Sequence, residues 1–255
     1  MDREPISTSD FKTLHIEEDG AVLTLRLDTP EAGNAVDEPM LDELLAVLSA
    51  VHDRPDLRVL VLSGAGQDFC LGGAREEFGT LLAEDATGAG LHAVANKARR
   101  VCDALASLPA ATIARVHGKA VGAGLGLALH CDLRAAADTA TFRLPELGLG
   151  LPTTWGGALQ RLLHEVGAAR MRELILTARV FDAAEAERIG VAHRVVPEAE
   201  LDKAVAQWTK PLLRRSPTAL RTTKALLNAY AAAGRQGDLT LLDAQLLTFS
   251  AAARR

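Results

Sequence analysis

The spacing of hydrophobic residues changes several times along the chain, and each change marks an element. Leu14–Glu17 and Val22–Leu27 alternate apolar with polar residues on either side of Asp19-Gly20. That period of two around a turn dipeptide predicts a β-hairpin. From Asp37 to Val51 the period lengthens, with Leu41, Leu44, Leu45, Leu48 and Val51 at helical spacing. Asp37 is placed to cap this helix and Pro39 suits its first turn. Val59–Leu62 is a continuous apolar, β-branched run, as expected of a buried strand, and a Gly-rich loop follows from Ser63 to Ala74. A second helix is predicted over Leu91–Leu108, with Leu91, Val94, Ala95, Ala98, Val101, Cys102 and Leu105 on one face. Ala111–Val116 reads as a strand, and a Gly-rich turn leads from it into a helix from about Gly122 to His130. Leu133–Ala136 and Thr141–Arg143 read as further short strands.

From Thr154 onward the pattern is mostly helical. Gly190–Val196 is one strand, ended by Pro197, and helices are predicted over Pro217–Tyr230 and from about Gln236 to Ala252. The recurring order strand, strand, helix implies an α/β core with crossovers. A soft boundary near Pro197 divides a core that carries the active site, residues 1–196, from a helical region, residues 197–255. The later helices are apolar on one face, so they are expected to dock on the core or on a neighbouring subunit.

Composition narrows the classes. The chain has 255 residues, 48% of them hydrophobic, enough for one sizeable core. Lys+Arg 28 against Asp+Glu 33 gives a formal net charge of -5, which favours neither nucleic acid nor an anionic membrane as partner. Cys70, Cys102 and Cys131 form no CxxC pair, and an odd count argues against a disulfide framework or a zinc site. The first 20 residues hold no apolar run of signal-peptide length, and no stretch is long and apolar enough to span a bilayer. A soluble cytoplasmic protein without a metal is expected.

Two Gly-containing turns carry the candidate chemistry. One is Asp68-Phe69-Cys70-Leu71-Gly72-Gly73-Ala74, after the buried strand. The other runs from His117 through Gly118, Lys119, Ala120, Val121, Gly122 and Ala123 to Gly124, at the start of a helix. Small residues let backbone approach a ligand closely, and free N–H groups at a helix start favour negative charge. Neither turn has the GxxxxGK pattern of a phosphate loop. Taken singly, each is equally readable as a tight turn that packs a helix on a sheet.

Together the turns resemble those of the crotonase (enoyl-CoA hydratase/isomerase) superfamily, with its FxAG(A/G)D-like and (N/H)GxAxGGG turns. The later segments fit as well. Phe142-Arg143-Leu144-Pro145-Glu146 resembles the family's PE segment and runs on through Gly150-Leu151-Pro152 to Gly156-Gly157. Cys131-Asp132, Asn34-Ala35 and Ser216-Pro217 with Lys224 match further motifs, so the resemblance covers roughly Leu14 to Leu227. It implies a spiral core of ββα turns with a C-terminal helical oligomerisation region, assembled as a homotrimer or hexamer. It also implies an acyl-CoA or acyl-carrier thioester substrate, with CoA as part of the substrate and no separate cofactor.

By the same resemblance, the backbone N–H groups of Gly73 and Ala123 form an oxyanion hole for the thioester oxygen, and Glu146 is the acid/base. Leu71, Gly72, Gly122, Arg143, Pro145, Leu151 and Lys224 are the residues expected against the substrate. A two-glutamate hydratase of this family carries its other carboxylate where this chain has Gly126. The family's dienoyl isomerases add an Asp where this chain has Thr154. One remaining glutamate suits migration of a double bond from the 3-enoyl to the 2-enoyl thioester. Hydration by one glutamate, decarboxylation, C–C cleavage, thioester hydrolysis and non-catalytic binding are the other readings.

Further departures bear on CoA. Gly33 replaces a usual basic residue before Asn34, Leu71 a usual Ala, and Ala74 a usual Asp. No EGxxAFxxKRxPxF-like segment precedes Arg255, which implies a weaker hold on CoA or an acyl carrier in its place. Arg143, commonly Gly in the family, would either bind a substrate carboxylate or form a surface ion pair. His117 and His130 are expected to serve structure. Cys70 lies within the first turn but has no recognisable base partner to make it a nucleophile.

Overall fold

The computed structural model describes residues 11–84 and 88–233. Its strands are β1 (Leu14–Asp19), β2 (Val22–Leu27), β3 (Val59–Gly64), β4 (Ala111–Val116), β5 (Lys119–Val121), β6 (Leu133–Ala137), β7 (Thr141–Arg143), β8 (Phe181–Asp182) and β9 (Arg194–Val196). The helices are α1 (Glu38–His52), α2 (Arg75–Glu84), α3 (Ala89–Ser107), α4 (Ala123–Leu129), α5 (Ala158–Glu165), α6 (Ala168–Thr177), α7 (Ala183–Arg188), α8 (Leu201–Arg214) and α9 (Pro217–Ala233).

The expected hairpin is present: β1 and β2 pair antiparallel from Leu14 opposite Leu27 to Asp19 opposite Val22. The main sheet has the order β1-β2-β3-β4-β6-β9, and every pairing after the first is parallel. All six residues of β3 are buried, as expected of a parallel strand covered on both faces.

A second, smaller row of extended backbone explains the repeat. β5 pairs parallel with β7, and β7 antiparallel with β8. Single parallel bridges extend that row: Cys70 with Ala120, and Val36 with Gly73. Each pass of the chain therefore places a strand in the main sheet, a short extended segment in the second row, then a helix. β2, Val36 and α1 make one such pass, and β3, Cys70–Gly73 and the α2–α3 pair make the next. β4, β5 and α4 make the third, and β6 and β7 lead into α5 and α6. This is the ββα spiral, and both Gly-containing turns lie in its second row.

Local chemistry accounts for some boundaries. Asp37 caps α1 through its carboxylate, which accepts the N–H of Met40 at 2.9 Å. α3 turns Leu91, Val94, Ala98, Val101, Cys102 and Leu105 inward, the face the sequence predicts. The loop expected from Ser63 to Ala74 begins only after Gly64, where β3 ends, and Cys70 and Gly73 within it each bridge to a neighbouring segment. α2, β5 and β8 were not expected. α2 is weakly amphipathic and carries Gly79 mid-helix, and β8 is two residues long. The strand expected over Gly190–Val196 shortens to Arg194–Val196, since Gly190 takes φ +84 and its N–H bonds Glu187 at the end of α7. Past Pro197 the chain returns to the main sheet, and Leu201 and Val205 of α8 join the core. The helix expected over Gln236–Ala252 lies outside the described residues. Among the described residues no helix is long and apolar enough to cross a membrane.

Candidate active site

The spiral brings the two Gly-containing turns into direct contact. Cys70 N–H donates to the Lys119 carbonyl, and Val121 N–H donates to the Cys70 carbonyl, both at 3.0 Å. Gly72 lies so close to Val121 that an added Cβ would be 3.3 Å from the Val121 carbonyl oxygen. Gly72 also takes φ +110, a conformation that L side chains rarely adopt. Val36 grips the first turn from the other side: it donates to Gly72 O at 2.8 Å and accepts from Ala74 N–H at 2.9 Å. These bonds use the groups on either side of Gly73 and leave its own N–H out.

Gly122 starts α4 at φ +49 and ψ -111, which again suits only glycine, and its N–H is held by the Arg143 carbonyl at 3.0 Å. Ala123 is the first helical residue, where an N–H has no intrahelical acceptor. Neither the Gly73 N–H nor the Ala123 N–H is engaged in a hydrogen bond among the described residues. The site thus offers two uncommitted backbone donors on two turns that are bonded to each other.

A polar scaffold fixes this arrangement. Asn34 is fully buried at φ +53. Its Nδ2 donates to the carbonyls of Ala65 (2.8 Å), Asp68 (2.9 Å) and Phe69 (3.3 Å), while its Oδ1 accepts Thr29 N–H at 3.0 Å. Asp68 links the turns by accepting Lys119 N–H at 3.0 Å. The sequence motif picked out Asn34 without its role, because its partners lie some 30 residues away.

Glu146 opens a 3-10 turn, Glu146–Leu149, directly after β7. Its Oε1 stands 3.0 Å from the position a Cβ would take on Gly122, so the carboxylate sits beside the second Gly-containing turn. Pro145 packs against the same glycine, and Leu151 N–H bonds the Glu146 carbonyl at 2.9 Å. The Thr153 hydroxyl donates to Oε2 at 3.5 Å. Burial raises the Glu146 pKa above the ordinary carboxylate value; its own N–H and the Thr153 hydroxyl oppose that rise without cancelling it. A carboxyl group with a raised pKa can take and return a proton nearer neutral pH.

At Gly126, one turn into α4, an added Cβ would lie 2.7 Å from Trp155 Cε3 and 3.0 Å from Cζ3. The indole of Trp155 therefore fills the place of a side chain at that position. Neither Trp155 nor Thr153 was singled out from sequence, since neither belongs to a recognisable motif.

The other named residues fall in different places. Leu71, Gly72, Gly122 and Pro145 surround the two turns. Leu71 remains 39% exposed at the rim. The Arg143 side chain runs to the end of α6, where Nε donates to the Ala178 carbonyl at 2.8 Å. Lys224 is buried and bonds the Asp132 carboxylate at 2.8 Å and the Ala110 carbonyl at 3.0 Å. Asp132 also accepts Thr112 N–H at 2.8 Å, so two separate sequence motifs meet in an anchor between α9, β4 and β6. His117 bonds the Gly66 carbonyl at 3.0 Å. Burial lowers the His130 pKa to about 4, and its Nδ1 bonds the Gly126 carbonyl at 2.7 Å. Burial likewise pushes the Cys70 thiol up to about 12, far from a nucleophilic thiolate.

The family model for enoyl-CoA hydratase/isomerase matches residues 17–252. The chain belongs to the enoyl-CoA hydratase/isomerase family. It is 34% identical over 230 residues to a crotonyl-CoA hydratase of Syntrophomonas wolfei, covering 90% of this chain and 85% of that one. It is 32% identical to the peroxisomal Delta(3,5)-Delta(2,4)-dienoyl-CoA isomerase of Arabidopsis thaliana, over 85% of this chain and 82% of that one. Its fold matches the crystal structure of an enoyl-CoA hydratase from Shewanella pealeana with a TM-score of 0.82 and 29% identity, over 91% and 85% of the two chains. This enoyl-CoA hydratase/isomerase family member thus has the family's fold, and it is a thioester-processing enzyme.

Proposed function

We propose that this chain moves a double bond in an acyl thioester, converting a 3-enoyl to a 2-enoyl substrate. The observation that carries the reading is the Glu146 carboxylate against Gly122, with glycine at position 126, where a two-glutamate hydratase carries its other carboxylate. Glu146 takes a proton from the α-carbon. The electron pair left behind spreads over the double bond to the thioester oxygen, which the N–H groups of Gly73 and Ala123 stabilise. One such donor is worth about 3–4 kcal/mol in related chemistry. Glu146 then returns the proton to the γ-carbon, and the double bond rests between the α- and β-carbons. No water is consumed and no second acid is needed. CoA enters as part of the substrate, with an acyl carrier as the alternative thioester.

A second reading is hydration through Glu146 alone, favoured by the hydratase names among the relatives. Incubation with 3-enoyl-CoA and, separately, 2-enoyl-CoA, followed by mass and NMR analysis, distinguishes the two. Isomerisation without mass gain supports the first. A gain of one water from 2-enoyl-CoA, with 3-enoyl-CoA left untouched, overturns it.

The C-terminal region, residues 197–255, serves assembly in this reading. Leu226, Leu227 and Tyr230 of α9 are 53%, 65% and 76% exposed, an apolar set suited to a partner surface. Sedimentation is expected to show a trimer or hexamer, and a concentration-independent monomer would remove this part.

A further inference from the structure

The turn Trp155–Gly157 is wedged between α3 and α4. Gly156 takes φ +59 with its Cα against the Cys102 side chain, a position open only to glycine. That contact fixes where Trp155 points. Its six-membered ring lies along Gly126, with Cε3 and Cζ3 nearest, and the side chain stays only partly buried. Gly126 is one helical turn below the oxyanion donor, because its N–H bonds the Gly122 carbonyl at 2.9 Å. Gly122 is also the residue against which Glu146 Oε1 stands. Two positions before Trp155, Thr153 holds the other oxygen of Glu146. One short segment, Thr153–Trp155, therefore carries both the hydroxyl that orients the base and the ring that walls the helix beside it.

The chemistry of that wall is apolar. A bound water needs two to four polar partners, and the benzo edge of an indole offers none. α4 offers a glycine there, and the Ala158 methyl at the start of α5 lies nearby. The atoms nearest Gly126, Trp155 Cε3 and Cζ3 and Ala158 Cβ, are all carbon and can neither hold a nucleophilic water nor take its proton.

We propose that Trp155 determines the outcome of the reaction by keeping the space beside Gly126 dry, so that the proton on Glu146 returns to carbon and water does not add. This rests on the reading of Glu146 as the base. Trp155 is a specificity-determining residue here, since it exchanges no proton. In the competing hydration, the water oxygen bonds to the β-carbon, one water proton goes to the α-carbon, and the αβ double bond is lost. Opening the wall admits that step.

The experiment uses the full chain and two substrates, 3-enoyl-CoA and 2-enoyl-CoA, with product ratios read by mass. Trp155→Ala is expected to raise the rate of hydration of 2-enoyl-CoA about tenfold or more. Trp155→Ala combined with Gly126→Glu is expected to raise it further, because the ring no longer blocks the new side chain. Trp155→Phe, which keeps most of the fold contacts, is expected to fall between wild type and Trp155→Ala. A merely structural role would lower both activities together and leave the product ratio fixed. An unchanged ratio in folded Trp155→Ala overturns the proposal; if that variant does not fold, an unchanged ratio in Trp155→Phe does so. Failure of the wild type to isomerise 3-enoyl-CoA overturns the proposed reaction instead, and hydration of 2-enoyl-CoA still reports on Trp155.

Discussion

The side chain of Leu71 lies where a side chain at position 33 would have to go. A Cβ built on Gly33 would overlap Leu71 Cδ1 and stand 2.8 Å from Cγ. Two departures from the family pattern, Gly for a basic residue and Leu for Ala, are therefore one structural change. Gly33→Lys alone is expected to destabilise the protein by about 1–3 kcal/mol, through overpacking and the φ of +64 at that position. Combining it with Leu71→Ala should relieve the overlap and bring a cation to the rim. Calorimetric titration with CoA is expected to show tighter binding by the double variant than by wild type. Equal affinity would show that position 33 does not reach the nucleotide phosphates.

In the proposed reaction Glu146 transfers the proton, and its burial has a cost in stability. Burial holds its folded pKa above the unfolded value. Its contribution to stability is therefore full below the unfolded pKa and is lost as pH rises through the folded one. At neutral pH, Glu146→Gln should leave the protein as stable as wild type or more so, while turnover falls at least a thousandfold. Thioester binding should persist, because the amide keeps the shape but cannot accept the proton. As a base, Glu146 must be ionised, so turnover should fall on acidification through its raised pKa. Thr153→Val removes a bond to the charged form and should move that acid limb to higher pH. A pH profile that is unmoved in Thr153→Val would detach the limb from Glu146.

Much of this site was legible in the sequence, for a physical reason. Backbone chemistry at a turn demands glycine at fixed offsets from the strand before and the helix after, so Gly72–Gly73 and Gly122–Gly124 stood out in one dimension. Glu146 stood out through the resemblance of its segment to the family's PE segment, with apolar residues around the carboxylate. The parts that were not legible depend on distance in space. Asn34 and the first turn meet across roughly thirty residues, as do Trp155 and Gly126. Lys224 read as a substrate contact by motif and is found paired with Asp132. Arg143 was open between a substrate carboxylate and an ion pair, and its Nε is found on a backbone carbonyl. Neither pairing leaves a trace in spacing.

The brace at Asn34 gives a test of how far the donors depend on the scaffold. Its side chain makes four hydrogen bonds with no solvent exposure, three of them to carbonyls of the loop that ends in the first oxyanion turn. Asn34→Ala leaves those buried carbonyls without their donor and a non-glycine residue at φ +53 without its local bonding. A loss of about 2–4 kcal/mol is expected, read as a shift of the urea midpoint. Asn34→Asp should be worse, since it turns an acceptor toward three acceptors in a site that disfavours charge. If the loop drifts, the Gly73 N–H drifts with it, and displacing one oxyanion donor is expected to lower kcat about a hundredfold or more. KM should change less, because the loss falls on the charge that develops during reaction. An Asn34→Ala protein that is destabilised yet keeps wild-type kcat would show that Val36 and Lys119, through their own backbone bonds to the turn, hold the donor in place without it.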